Sequence, residues 1–288
     1  MVNWASVTQG DCLEVLSEFP SGAVDLVYID PPFNTGGTMS RSSDVYISSD
    51  NGDRTGYGGR RYSVTRGPTI SYDDDYGDDY LGFLGPRLIE MLRVLRPSGS
   101  LMVHLDQREV HYVKVYLDGL LGRDHFVNEI IWHWDYGARS KRRWSVKHNT
   151  ILWYVKNPLD YTYNYDTIDR IPYLAPMLVG PEKAAKGKTP TDVWWHTIVS
   201  PTGKEKTGYP TQKPLGVLER IVRTHSNPGE VVLDCFAGSG TTGAAALKFG
   251  RKAVLVDNNP QAVSIMTERM RKYVDNVTDS PLWIQRDE

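Results

Sequence analysis

Four apolar runs punctuate the chain: Leu26-Val27-Tyr28-Ile29, Leu101-Met102-Val103-His104-Leu105, Val231-Val232-Leu233 and Ala253-Val254-Leu255-Val256. Runs this short and this apolar, bounded by charged or turn-forming residues, predict strands covered on both faces. Further strands are expected around Ala5 to Gln9, Phe126 to Trp134 and Thr150 to Lys156. Between them the spacing turns helical. Leu13, Leu16 and Phe19 repeat before the break at Pro20-Ser21-Gly22, and Leu84, Leu88, Met91, Leu92 and Leu95 form one face of a helix from Tyr80 to Leu95. Arg96-Pro97-Ser98-Gly99 is expected to stop that helix, and two more are expected from Val110 to Leu121 and from Leu215 to Thr224. Strands alternating with helices predict an α/β fold with a doubly wound, Rossmann-like sheet.

Two stretches lack this rhythm. From Asn34 to about Gly77 the chain is Gly, Ser, Arg, Asp and Tyr with almost no apolar periodicity, which predicts a structureless lid or binding loop. Arg41, Arg54, Arg60, Arg61 and Arg66 alternate there with Tyr46, Tyr57 and Tyr62, a mixture suited to phosphates and bases and equally to a solvated loop. From Asn157 to Gly208, many Tyr, Pro and Lys residues with weak periodicity predict an irregular inserted module outside the main sheet, with Trp194, Trp195 and His196 as its small core.

With 288 residues, 40% hydrophobic and 24% charged, the chain has room for one large domain carrying an insertion and has no disordered signature. Its net charge of −2 means that any hold on nucleic acid must come from local patches. One such patch joins the two expected strands at 126–134 and 150–156. Arg139, Lys141, Arg142, Arg143 and Lys147 lie there with Trp144 and His148, opposed only by Asp135. Cys12 and Cys235 are the only cysteines, too few for a disulfide framework and not spaced for zinc, so a reducing compartment and no metal site are expected. Neither a leader-like start nor a membrane-length apolar run is visible, so a soluble, cytoplasmic protein with no membrane association is expected.

The chemistry is concentrated at two strand ends. The run at 26–29 delivers Asp30-Pro31-Pro32-Phe33. Two prolines fix φ and remove N–H donors, so this turn offers carbonyl oxygens and a carboxylate as acceptors beside an aromatic ring. Such a site suits a planar ligand carrying an NH₂ group, as when a base is taken out of a duplex. The run at 231–233 delivers Asp234-Cys235-Phe236-Ala237-Gly238-Ser239-Gly240-Thr241-Thr242-Gly243 and then a helical Ala244 to Leu247. Strand, glycine turn and helix start let backbone approach a ligand and favour an anionic group at the helix end. Asp257, at the end of the next strand, stands where an acid accepts from ribose hydroxyls. The loop alone leaves a nicotinamide dinucleotide open, but a phosphate-binding P-loop is excluded because no Lys-Ser or Lys-Thr pair follows.

Three motifs in their order are more specific than any one of them. Asp30-Pro31-Pro32-Phe33, then Thr211-Gln212-Lys213-Pro214, then Asp234 to Thr242 resemble the β class of DNA amino-methyltransferases, over about residues 7–33, 80–156 and 207–273. The resemblance implies a circularly permuted methyltransferase sheet with the catalytic half first, an irregular target-recognition module inserted in the middle and the cofactor half last. It places the catalytic half at 1–134, the target-recognition region at 135–206 with a returning strand near 150–156, the cofactor half at 207–275 and a tail at 276–288. It implies S-adenosylmethionine as methyl donor, held by Asp11, Cys12, Asp30, Thr211, Lys213, Asp234, Phe236, Gly238, Ser239, Gly240, Thr241, Thr242, Asp257 and Asn258. Without the resemblance, Asp11 reads as a helix N-cap. Double-stranded DNA is the implied partner, with a homodimer and a separate restriction endonuclease as further expectations. An Asp at the head of the first motif is the usual adenine-N6 signature of that family, whereas cytosine-N4 enzymes usually have Ser. The family more often ends that motif in Tyr; Phe33 keeps the ring without its hydroxyl. Methylation at cytosine carbon 5 would need a nucleophilic Pro-Cys setting that neither cysteine has.

Overall fold

The apolar runs become the interior strands of a single nine-stranded sheet. The computed structural model describes residues 4–42, 45–55, 59, 61–65, 69–137, 139–200 and 203–281. In chain order the elements are β1 (Ala5–Gln9), α1 (Cys12–Ser17), β2 (Val24–Ile29), β3 (Gly37–Ser42), β4 (Val45–Ser48), β5 (Arg54–Thr55), β6 (Arg61–Thr65), β7 (Thr69–Asp74), α2 (Tyr80–Val94), β8 (Leu95–Leu105) and α3 (Val110–Leu121). They continue with β9 (Phe126–His133), β10 (His148–Val155), α4 (Pro181–Lys186), β11 (Val193–Trp195), α5 (Leu215–His225), β12 (Val231–Asp234), α6 (Thr241–Lys248), β13 (Lys252–Asp257), α7 (Pro260–Met270) and β14 (Val277–Thr278).

The sheet order is β11-β9-β10-β8-β2-β12-β13-β1-β14. Only β10 runs antiparallel to its neighbours. Strand alternation sends residues to opposite layers. Leu26 and Tyr28 of β2 pack with α5, α6 and α7, while Val24, Val27 and Ile29 pack with α1, α2 and α3. Helices therefore cover both faces, as the pattern predicts. From the centre, β12 leads through β13 to β1 on one side and β2 leads to β8 on the other. The crevice at that switch point is where α/β sheets bind ligands. The N-terminal β1 lies against the late strand β13, pairing Ala5 with Ala253, which is the permuted order.

β2 and β12 share a short register, Leu26 with Val232 and Val27 with Leu233. Asp25 reinforces it. One of its carboxylate oxygens accepts the Val231 N–H at 2.8 Å and the other pairs with Arg96 at 2.7 Å. Burial raises the Asp25 pKa, opposed by these partners.

Three expectations are corrected. The stretch 34–77 is not structureless: β3 pairs antiparallel with β7, and β4, β6 and β5 form a second small sheet. Among the described positions of β3 and β7 only Ile70 and Tyr72 turn apolar groups toward the main core, too few to give an apolar period. Of the arginines and tyrosines that alternate there, Tyr57, Arg60 and Arg66 lie outside the described residues, as do the side chains of Arg41, Tyr46, Arg54 and Tyr62. Arg61 is exposed on β6. Second, the strand expected at Leu101–Leu105 starts earlier, at Leu95: α2 ends at Val94, and Arg96-Pro97-Ser98-Gly99, which stops it as expected, lies inside β8 as a bulge, since Val24 pairs with Leu95 but Leu26 with Ser100. A Cβ at Gly99 would stand 2.8 Å from the Asp25 carbonyl oxygen, so the bulge needs glycine there. Third, the 157–208 module is not wholly outside the sheet. β11 pairs parallel with β9, Trp194 joins the main core, Trp195 is exposed, and the His196 carbonyl accepts the Trp132 indole N–H. A three-residue edge strand is too short to show a period.

Replacing Asp25 with alanine leaves the buried Val231 N–H without its acceptor. The expected cost is about 1–3 kcal/mol, read as a lower urea midpoint at unchanged slope.

Candidate active site

Asp30 leaves the end of β2 pointing at the cofactor half. Its Oδ2 is ion-paired with the Lys213 ammonium, which comes from the segment before α5. Its Oδ1 is shielded from solvent and has no hydrogen-bond partner. Burial raises the Asp30 pKa and Lys213 works against that rise. The same ammonium stands 5.0 Å from the centre of the Phe33 ring. The Pro32 carbonyl accepts the Tyr80 hydroxyl at 2.7 Å, which fixes the double-proline turn on α2.

Strained backbone brackets this pair. Among the described residues, the non-glycine positions with positive φ are Asn34 (φ 56°) and Thr211 (φ 55°), one beside Phe33 and the other two residues before Lys213. Such conformations persist only where surroundings enforce them. Asn34 donates its backbone N–H to Asp74 at 2.8 Å and its side-chain amide to Gly77 O and Glu109 Oε1, both at 2.7 Å, while its Oδ1 accepts from Tyr76 N at 2.8 Å. Asp74, buried at the end of β7, also accepts the Thr35 hydroxyl at 2.6 Å. The ribbon of β3 and β7 is therefore rooted on the double-proline turn. Sequence reasoning missed this clamp, although an Asn directly after a rigid turn is the residue type that tolerates positive φ.

Under Phe33 lies a buried polar chain. His104, 6.1 Å from the Phe33 ring centre, meets the Tyr28 hydroxyl through Nδ1 at 2.7 Å and the Asn149 amide through Nε2 at 3.1 Å. Burial holds its pKa well below the usual histidine range, so the ring is neutral, with one nitrogen to donate and one to accept.

The glycine turn closes the other wall. Gly238 (φ 50°) and Gly240 (φ 69°) both adopt the left-handed conformation that glycine supplies at little cost. The Asp234 carboxylate accepts the Phe236 N–H at 3.0 Å and the Thr242 hydroxyl at 2.6 Å. The Asp257 carboxylate accepts the Gly238 and Asn259 N–H groups at 2.8 and 2.9 Å. Thr241 Oγ1 donates to the Lys213 carbonyl at 3.2 Å and accepts from Arg269 at 2.9 Å. Asp11 caps α1 through the Leu13 N–H at 2.8 Å and also pairs with Arg87 at 2.5 Å.

The Asp30 carboxylate, Lys213 and the glycine turn meet at one crevice of about 450 Å³. Asp30, Pro32 and every expected cofactor residue line it except Gly240, where a Cβ would stand 3.1 Å from Met266 of α7. That glycine serves packing. Pro31 and Phe33 lie outside this lining, as the floor of the adjoining turn. Ser239 and Thr241 are tied to the Arg269 side chain, and Lys213 is the partner of Asp30. Lining residues with no sequence signal of their own are Arg87 and Phe83 on α2 and the pair Tyr72 and Tyr209, whose rings are parallel within 6° at 6.5 Å. The crevice has five carboxylates against two cations, and both cations are already paired with acids. A cationic ligand fits that balance; a pyrophosphate-bearing dinucleotide does not.

The basic loop rises from the same end of the sheet. Arg139, Lys141, Arg142 and Arg143 are exposed, while Lys147 donates to the Tyr136 carbonyl at 2.8 Å and braces the loop.

Residues 24–268 match the DNA methylase family profile. Type II methyltransferase M.HpaI of Haemophilus parainfluenzae is 28% identical over 261 residues, covering 90% of this chain and 72% of its own. DNA adenine methyltransferase YhdJ of Escherichia coli K12 is 27% identical over 278 residues, covering 92% and 82%. Among solved structures, the M1.HpyAVI–SAM complex superimposes with a TM-score of 0.59 at 21% identity, covering 92% of this chain and 98% of its own. PvuII DNA methyltransferase (cytosine-N4-specific) does so with 0.61 at 18% identity, covering 93% and 87%.

Burial pushes the Asp234 pKa up to about 7 against the pull of Thr242 and Phe236. An unfolded carboxyl ionises near 3.8, so raising pH between these values strips from the unfolded chain a proton that the folded state retains, and stability falls until about pH 7. Asp234→Asn is expected to make the urea midpoint of the ligand-free protein decline less steeply from pH 5 to 7.5.

Proposed function

Because this chain belongs to the DNA methylase family, we propose that it is a site-specific DNA methyltransferase that moves a methyl group from S-adenosylmethionine to the N6 amine of an adenine drawn out of the duplex. One observation carries the reading: the buried Asp30 Oδ1 has no partner, while Oδ2 is pinned by a lysine from the opposite half. A buried acceptor left open beside an aromatic ring is a place for a donor on a planar ligand.

S-adenosylmethionine supplies an electrophilic methyl group on a sulfonium. The residues fit it by charge and by donor set. Asp257 keeps lone pairs for ribose hydroxyls beyond the two amides it accepts, and Asp234 and the unpaired acids favour its cationic end. At the amine, Asp30 Oδ1 accepts one hydrogen and the Pro31 carbonyl the other. The nitrogen lone pair, otherwise delocalised into the ring, is then directed toward the crevice. The amine proton passes to Asp30, whose burial suits it to receive one. Phe33 stacks on the base, worth about 1–3 kcal/mol against the cost of flipping. The Asp at the head of the motif supports adenine, as does the adenine methyltransferase among the relatives.

Asp30→Ala is expected to lower tritium transfer from labelled S-adenosylmethionine to DNA by about a thousandfold or more, with cofactor affinity by calorimetry changed only a few-fold. Retained transfer would remove the mechanism. Nucleoside mass spectrometry of the wild-type product is expected to show N6-methyladenine; N4-methylcytosine would move the target to the other amine. Lys213→Gln removes the cation that keeps Asp30 ionised, so the acidic limb of the kcat/KM profile should shift to higher pH.

A further inference from the structure

We infer that Trp144 is the side chain this protein drives into the duplex, occupying the space that the extracted base vacates. The inference rests on the base-extracting activity proposed above and names the residue that sustains it. Trp144 is 96% exposed. A tryptophan carries more apolar surface than any other side chain, and one standing free in solvent has its burial still to make.

Its position gives that burial a direction. Ile29, next to Asp30, pairs with Val103; Leu105, two residues on, pairs with Thr150; and His148 pairs with His133 beyond it. The loop 134–147 therefore springs from the sheet end that carries Asp30, on strands roughly 10–15 Å to its side by ordinary strand spacing. Around Trp144 stand the exposed Arg139, Lys141, Arg142 and Arg143. A polyanion is the partner these cations fit, and phosphates held on them would bring a base stack against the ring.

The loop is also shaped before any partner arrives. Ser140 Oγ accepts the Arg142 and Arg143 N–H groups, each at 3.2 Å, and Ser145 Oγ accepts the Ser140 N–H at 2.8 Å. Lys147 closes the base of the loop on the Tyr136 carbonyl at 2.8 Å. The chain spends these bonds on holding a turn whose crest is an indole with nothing under it. A rigid apolar wedge flanked by phosphate-binding cations separates base steps, whereas a flexible one would fold back onto the protein.

The test uses the full chain and a duplex containing the site that modified-base sequencing of plasmid from expressing cells identifies. Trp144→Ala is expected to lower kcat/KM for methylation of the matched duplex on the order of tenfold to a hundredfold, with Trp144→Phe recovering part of it. On a duplex with an abasic position opposite the target adenine, where unpairing is already done, the alanine variant should approach wild type. 2-Aminopurine at the target position should brighten on binding wild type and stay dim with the variant. An alanine variant impaired equally on both duplexes, or unimpaired on the matched one, overturns the wedge and leaves the methyltransferase reading intact. Wild type that labels neither duplex overturns the reading and the wedge together.

Discussion

The contact on which this structure turns is the ion pair between Asp30 and Lys213, groups 183 residues apart in sequence. Neither half of the chain has a complete site. Asp30 alone would be a carboxyl that burial drives toward neutrality, and Lys213 alone a buried ammonium with a carbonyl for company. Together they fix the carboxylate, leave one oxygen open, and bring the glycine turn within a single crevice of the double-proline turn. The surrounding features serve that meeting. Asn34 and Thr211 bend the backbone on either side of it, Thr241 holds the Lys213 carbonyl from the start of α6, and Asp25 ties β2 to β12 near the opposite end of the strands. Several weak devices hold in place an arrangement that no one of them would enforce.

Charge is divided in the same economical way. A net charge of −2 conceals an acidic crevice and a basic loop on the same end of one sheet. The acids draw a cationic small molecule inward and repel phosphate from the cofactor seat. The exposed arginines and lysines face outward, where a nucleic-acid backbone can reach them without entering the crevice. Two ligands of opposite charge can thus be held side by side in a protein with little overall field.

Much of this was legible in the residues. The buried strands, the amphipathic face of α2 and the strand, turn and helix at 231–248 follow from periodicity because each buries a regular stripe. The crevice could be located because Asp30 and the glycine turn both end interior strands. What sequence could not show is instructive for the same reason. In the ribbon of β3 and β7 only Ile70 and Tyr72 face the core, too few for an apolar rhythm, and β11 is too brief to have a period. Asn34 acts through four hydrogen bonds and Arg87 through its pairing with Asp11, all to residues 40 to 76 positions away, which no local pattern records. Lys213 could be assigned to the site from its motif, but its partner could not. Gly240 shares the turn with Gly238, Ser239 and Thr241 yet alone among them packs against α7 instead of lining the crevice, a distinction no local pattern records.

The neighbouring places of β1 and β13 have a consequence for how the molecule comes into being. Gln9 pairs with Asp257, so β1, synthesised long before β13, must wait for it before it gains that lateral neighbour. Until then its apolar residues have no sheet to join, and the pairing that eventually forms closes one of the longest loops the chain can make. On the ribosome β1 would linger unpaired beside an unfinished sheet, so the demand for chaperones and the risk of misassembly should concentrate on nascent chains that have not yet extended past residue 257.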